Sequence, residues 1–308
     1  MALAAPLPVY ALSLAAFGIV HVLTELAYVD RRFSDRVASR IGQTWVVLLG
    51  VIVLVRILAI TGVLEGTPRA WMELGLVALL ALTVLPLARR SPRHARLASA
   101  CVLVVALLLV GSAFAPFETL VVLAFLHNLT PVGFLAEALD GEARRRALRL
   151  CALLFVAVPA LLISGLPRMA LYALGLDNGH WQIGGVGSAG DHLGAFVPQA
   201  WIAGIAAFDL FTAAVYLQCL HYAVVIGILP RLALRDTRAA AATVPWPTGR
   251  RFTWLLIAAS GVSLALFAQS FSEARALYGV FAAVHAWIEV PILLLALALP
   301  PLAVRMAT

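Results

Sequence analysis

Long apolar runs of about twenty residues, separated by short polar or arginine-bearing stretches, dominate this chain. About 20 mainly apolar residues in a helix span the hydrocarbon core of a bilayer. Nine segments fit that length, at roughly 7–28, 44–64, 70–88, 97–115, 117–139, 147–166, 200–229, 251–272 and 276–299. They predict an all-α, polytopic integral membrane protein. The seventh segment is long enough to tilt, kink or begin outside the bilayer. The connection over about 167–199 is rich in glycine, proline and aromatic residues. That composition predicts an ordered external cap lying on or dipping into the membrane, since a flexible linker would be more polar. The stretch from Arg231 to Arg250 reads as a solvated loop. No internal repeat is visible, so no duplicated half-transporter is inferred. Residues 1–308 read as a single transmembrane domain.

Composition sharpens this picture. Hydrophobic residues make up 63% of the chain and charged residues only 12%, about half the charged share of soluble domains. A soluble globular class is therefore excluded. The net charge of +7 comes from arginine alone, because the chain has no lysine. In a membrane protein such an excess is a topology signal before it is a nucleic-acid signal, and no nucleic-acid partner is expected. Arg31, Arg32, Arg36 and Arg40 follow the first span. Arg89, Arg90, Arg93 and Arg96 follow the third, and Arg144, Arg145, Arg146 and Arg149 the fifth. Arg231, Arg235, Arg238, Arg250 and Arg251 follow the seventh, and Arg305 the ninth. The alternate connections carry only Arg69, Arg168 and Arg275. Positive charge marks the cytoplasmic side, which predicts an external N-terminus and an internal C-terminus. No basic residue precedes the first run, so it reads as a retained helix and not as a cleaved signal peptide. The high alanine and arginine content suggests a bacterial inner membrane.

Chemistry enters with the histidines. His21, His127, His221 and His285 all fall inside apolar runs, on the first, fifth, seventh and ninth spans. An ionisable side chain in hydrocarbon costs a few kcal/mol, roughly 3 on insertion scales, and normally has a partner or a task. These four spans run in the same direction, so depth follows from a rise of about 1.5 Å per residue. The estimated depths spread over about 10 Å, which permits one shared site. Two histidines carry a glutamate four residues on: His21 with Glu25 in HVLTE, and His285 with Glu289 in HAWIE. Residues i and i+4 share a helix face, so the two members of each pair can both point at one ion. Mixed imidazole and carboxylate ligands favour iron or zinc, and imidazole also suits copper. Two arrangements fit. In one, four histidines hold a single metal and the glutamates accept hydrogen bonds from the outer ring N–H groups. In the other, histidines and carboxylates hold two metals. The structural alternative is that each histidine only hydrogen-bonds a neighbouring helix.

Other polar groups lie near this set. Arg56 sits in the second span and needs an acidic partner, with Glu73 and Asp209 as the candidates. Asn128, Thr130 and Pro131 follow His127, and the proline predicts a kink that frees a carbonyl and opens a pocket. Tyr222 follows His221 and is a candidate to orient substrate or bond a ligand. Glu25, Glu289 and Tyr222 are the candidate catalytic groups. His180 and His192, in the cap, read as an entrance, a second site or loop packing. Cys101, Cys151 and Cys219 lack CxxC spacing and read as free thiols.

The first functional reading is a membrane metalloenzyme, a non-haem iron oxidoreductase or oxygenase acting on a lipid-, isoprenoid- or carotenoid-like substrate that enters from the bilayer. In architecture alone the chain is similar to the polytopic, histidine-dependent membrane carotenoid dioxygenases. Their histidine–glycine pattern is absent; GIVHVLTEL stands in its place, and no family assignment follows. The second reading is a b-type haem protein for electron transfer. The third is a transporter that relays protons or carries a metal ion. The oligomeric state is left open.

Overall fold

The computed structural model describes residues 1–37, 39–88, 94–176, 182–234 and 242–298. His180 and the arginines at 89, 90, 93, 235, 238 and 305 lie outside the described residues. The helices are α1 (Pro6–Phe33), α2 (Ser39–Ile60), α3 (Gly66–Leu82), α4 (Leu85–Ala88), α5 (His94–Phe114), α6 (Pro116–His127) and α7 (Thr130–Ala138). They continue with α8 (Gly141–Cys151), α9 (Val158–Ile163), α10 (Leu166–Ala173), α11 (Ala207–Gly227), α12 (Leu229–Leu234), α13 (Gly249–Gln269) and α14 (Phe271–Ala298). A π-helical stretch, Ala152–Ala157, joins α8 to α9 just before Pro159.

Seven helical runs are long and apolar enough to cross a membrane, and the pair α6–α7, bent by 41°, makes an eighth. The third apolar segment of the sequence is divided. Its helix α3 has 17 residues, and Thr83 and Val84 form a turn before the single turn of α4. The all-α multi-span architecture therefore stands.

The runs fall into two classes. In α1, α11 and α14, 56–61% of the most apolar window is buried within the protein; in the other runs the share is 11–17%. Helices that are apolar all round but largely exposed need an apolar solvent. Val46, Val47, Leu103, Leu107, Leu109 and Ile257 face outward in this way, as lipid-facing side chains do. The inner helices bring the polar groups inward. Along α11, Asp209, Thr212, Gln218 and His221 are all buried, which hydrocarbon would not tolerate without partners.

The two ends of the bundle differ. At one end Arg32 forms a buried two-point ion pair with Glu137 of α7. Beside it, Asp30 accepts the backbone N–H groups of Thr243 and Val244 and the indole N–H of Trp246. At the other end the cap packs on the start of α1. It contains a two-stranded antiparallel ribbon, β1 (Gln182–Ile183) with β2 (Gly187–Ser188), and a 3-10 turn over Ala189–Ala195. Ser188 and Asp191 close that turn as a capping box. Tyr10, Phe196, Phe211, Phe267 and Phe271 form an aromatic layer beneath it. Arg168 of α10 forks onto Asp209 at 2.8 and 2.9 Å. Gly165, at φ +75°, lets the chain turn close over that pair, where a Cβ would lie 3.1 Å from the Asp209 carboxylate.

Candidate metal centre

Three of the four histidines come from the inner helices: His21 from α1, His221 from α11 and His285 from α14. The fourth, His127, is the last residue of α6. Its position follows from Pro131, which has no N–H to offer the carbonyl four residues back and whose ring crowds it. That carbonyl belongs to His127 itself, and the helix bends there. The Thr130 hydroxyl takes up the slack, 2.8 Å from the freed carbonyl and 2.9 Å from the Glu289 carboxylate. One nitrogen from each histidine lies within 4.8 Å of the corresponding nitrogen of every other. The depth spread expected from the sequence closes to one point.

Hydrogen bonding identifies which nitrogens face inward. His21 Nδ1 lies 3.3 Å from the carbonyl of Phe17, and His127 Nδ1 lies 2.6 Å from Glu289 Oε2. Both partners are acceptors, so each Nδ1 carries the proton and each Nε2 presents a lone pair. Those two Nε2 atoms are each 3.0 Å from Nε2 of His285. A single N–H on His285 can satisfy only one of them. His285 Nδ1 lies near the carbonyls of Phe281 and Ala282 without a well-formed hydrogen bond. His221 places Nε2 3.3 Å from Glu25 Oε2, which leaves Nδ1 as its spare lone pair; neither nitrogen forms a geometrically good hydrogen bond among the described residues.

Of the two arrangements open to the glutamates, the geometry matches the one in which they stand behind the rings, but against rings of neighbouring helices. Glu25 lies against His221 on α11. Glu289 does not face inward beside His285; it holds His127 on α6. Each carboxylate sits one helical turn, about 6 Å, beyond the histidine of its own helix and so meets a ring from a neighbouring helix. Both are 1% exposed.

A cavity of about 280 Å³ adjoins the cluster and extends to the cap. His21, His127 and His285 form one wall, and Ala195 and Phe196 of the cap contribute the roof. Tyr222 stacks on His21, with ring centres 4.1 Å apart, and its hydroxyl lies 3.3 Å from that of Tyr278. Tyr278 precedes His285 by seven residues, two turns on one face, a spacing that could have flagged it in the sequence. Arg56 also lines the cavity and is paired with Glu73, whose same oxygen accepts the indole N–H of Trp287 at 2.8 Å. Asp209, the other candidate partner of Arg56, is taken by Arg168.

In the cap, His192 is buried and packed. Its Nε2–H donates to the carbonyl of Val186 at 2.8 Å, and its Nδ1 accepts from Arg275 at 2.9 Å. Burial, with the Arg275 charge adding to it, holds its pKa below the usual histidine value. The Ser188 backbone N–H and hydroxyl hold the Asp191 carboxyl below the usual range. Cys101 and Cys151 are buried free thiols, and Cys219 is a partly buried one.

The donor set suits a cation. Metal–imidazole bonds of about 2.0–2.1 Å place tetrahedral ligand nitrogens roughly 3.3 Å apart; the His21–His285 and His127–His285 pairs stand at 3.0 Å, and the four nitrogens together lie within 4.8 Å. No protein family, curated protein or solved structure matches the chain.

Proposed function

We propose that this protein is a membrane-embedded, metal-dependent oxidoreductase. In this reading His21, His127, His221 and His285 hold one iron ion, and the adjoining cavity takes a lipophilic substrate. The observation that carries it is the convergence of imidazole lone pairs from four helices in a buried site. Lone pairs facing one another at 3.0 Å without enough protons repel, and a bound cation turns that repulsion into binding. A bound iron would supply Lewis acidity or oxygen activation.

The protein's own groups have separate tasks. Glu289 fixes the rotation of His127 and raises its basicity as a donor, and Glu25, 3.3 Å from His221, stands behind that ring. Tyr222, stacked on His21, forms the wall against which a substrate is oriented. Leu14, Ala124, Ala282 and Ala286 supply an apolar lining, which suits a lipid- or isoprenoid-like molecule. Haem fits less well. Four imidazoles gathered within 4.8 Å of one another suit a single ion better than a large flat macrocycle.

We also favour nine spans with the N-terminus outside, counting α3 with α4. The meeting of Arg31 and Arg32 with Pro247 and Glu137 at one end of the bundle supports this. On the alanine and arginine content, the same reading takes the host to be a bacterial inner membrane.

The test is metal content and an optical spectrum on detergent-purified protein, beside His127→Ala and His285→Ala. One iron per chain without a haem band, lost in both variants, is expected. Zinc or copper at the same stoichiometry would change the metal and the chemistry. A haem band, or no metal in any preparation, would overturn the reading.

A further inference from the structure

Arg275 stands near the N-terminal end of α14 and lines the cavity beside Tyr10. It makes no salt bridge with a carboxylate among the described residues. Its contacts are neutral: the Nδ1 of His192 at 2.9 Å and the hydroxyl of Tyr10. Two other arginines are matched, Arg56 by Glu73 and Arg168 by Asp209, whereas Arg69 lies near both Arg56 and Glu73 with a buried Nε that has no hydrogen-bond partner among the described residues. The bond to His192 ties the cap to α14 without neutralising the charge, and a half-buried cation near the positive end of a helix dipole gains nothing from that dipole. Guanidinium offers five donors in a planar fork, and two neutral contacts leave part of that fork for something in the cavity.

We propose that the cavity binds an amphiphile with a single carboxylate head, the head held by Arg275 and Tyr10 under the cap and the apolar body directed toward the histidine cluster. This rests on the reading of the cavity as the substrate site. A single cation with no carboxylate partner among the described residues fits a monoanion, and the flat fork of arginine matches a carboxylate at two points. A phosphate head would call for further cationic partners, and the charge of Arg56 is already taken by Glu73. The arrangement also sets the orientation of the substrate. With the head at the roof and His21, His127 and His285 forming another wall, those histidines, and any metal they would hold, face a position along the chain and not the head group.

The experiment uses the full protein in phosphatidylcholine nanodiscs and radiolabelled laurate, with methyl laurate and dodecyl phosphate as competitors. Metal content is measured on the same samples. Saturable laurate binding at least about ten-fold tighter than methyl laurate is expected, from a charge-assisted hydrogen-bonded pair. Arg275→Gln should remove that preference while keeping the metal of wild type, and Arg275→Lys should restore only part of it. Tyr10→Phe gives a second, milder variant if Arg275→Gln folds poorly. Equal binding of laurate and its ester, a preference that survives Arg275→Gln, or dodecyl phosphate outcompeting laurate would overturn the proposal. A carboxylate preference in a protein that never binds metal would sink the metal reading and leave this site standing. Metal binding without any such preference would do the reverse.

Discussion

Glu289 lies 2.6 Å from Nδ1 of His127, across the interface between α14 and the end of α6, and not against His285 four residues before it on its own helix. The last long helix thus contributes a ring of its own and fixes the rotation of a ring on another helix. Glu25 and His221 form a looser counterpart between α1 and α11, at 3.3 Å and without a well-formed hydrogen bond.

Glu289→Gln should leave the fold intact and weaken metal retention by about 10- to 100-fold, the usual effect of removing a carboxylate behind a metal-bound imidazole. The competition between protein and a chromophoric chelator measures it. Retention equal to wild type would show that the carboxylate does not orient the ring.

Added metal should stabilise wild type but not His285→Ala. At a free metal concentration of 100 times Kd, the gain is about 2.7 kcal/mol for one site. Thermal melts of chelator-stripped protein with and without iron(II) read this directly. Equal shifts in both proteins would place the metal elsewhere.

The cap should loosen as the pH falls. The pKa of His192 is held below its ordinary value of 6.5, so the packed cap keeps the ring neutral. The opened cap takes up a proton as the pH drops through about 6.5. More protons bound in the open state mean that stability is present above that pH and is lost below it. Amide exchange over residues 182–197, corrected for intrinsic rates, should show less protection at pH 5.5 than at pH 7.5. His192→Gln should abolish the difference, and a pH response that persists in that variant would point to another group.

Arg168→Ala should destabilise the protein by about 3 kcal/mol, because it leaves a buried carboxylate without its partner. Arg168 is about one-fifth exposed, which keeps the expectation at the low end of that range. The double variant with Asp209→Ala should recover much of the loss. A double variant as unstable as the sum of the two single ones would show that the pair itself is not what holds α10 to α11.

Much of the candidate site was legible in the chain because hydrocarbon is unforgiving. Polar residues in apolar runs stand out, and the four histidines found that way do meet. Which ring each glutamate meets was not legible, for a geometric reason. The i, i+4 rule states which residues share a helix face, but it says nothing about which neighbouring helix sits at that depth. Thr130, Trp287 and the contact between Arg275 and His192 join residues 83 to 214 positions apart, or depend on a local bend, and no periodicity reports them. The division of α3 from α4 was hidden because Thr83 and Val84 look like any other part of an apolar run.

The separation of His21 from His285, 264 residues along the chain, bears on how the protein is made. The ring that lies between two others is the last of the four to leave the ribosome. Until α14 has entered the membrane, His21, His127 and His221 lack the nitrogen about which they gather. On the proposed metal reading, loading would therefore come late in biogenesis, and a chain truncated before α14 should accumulate as an inserted but ion-free precursor.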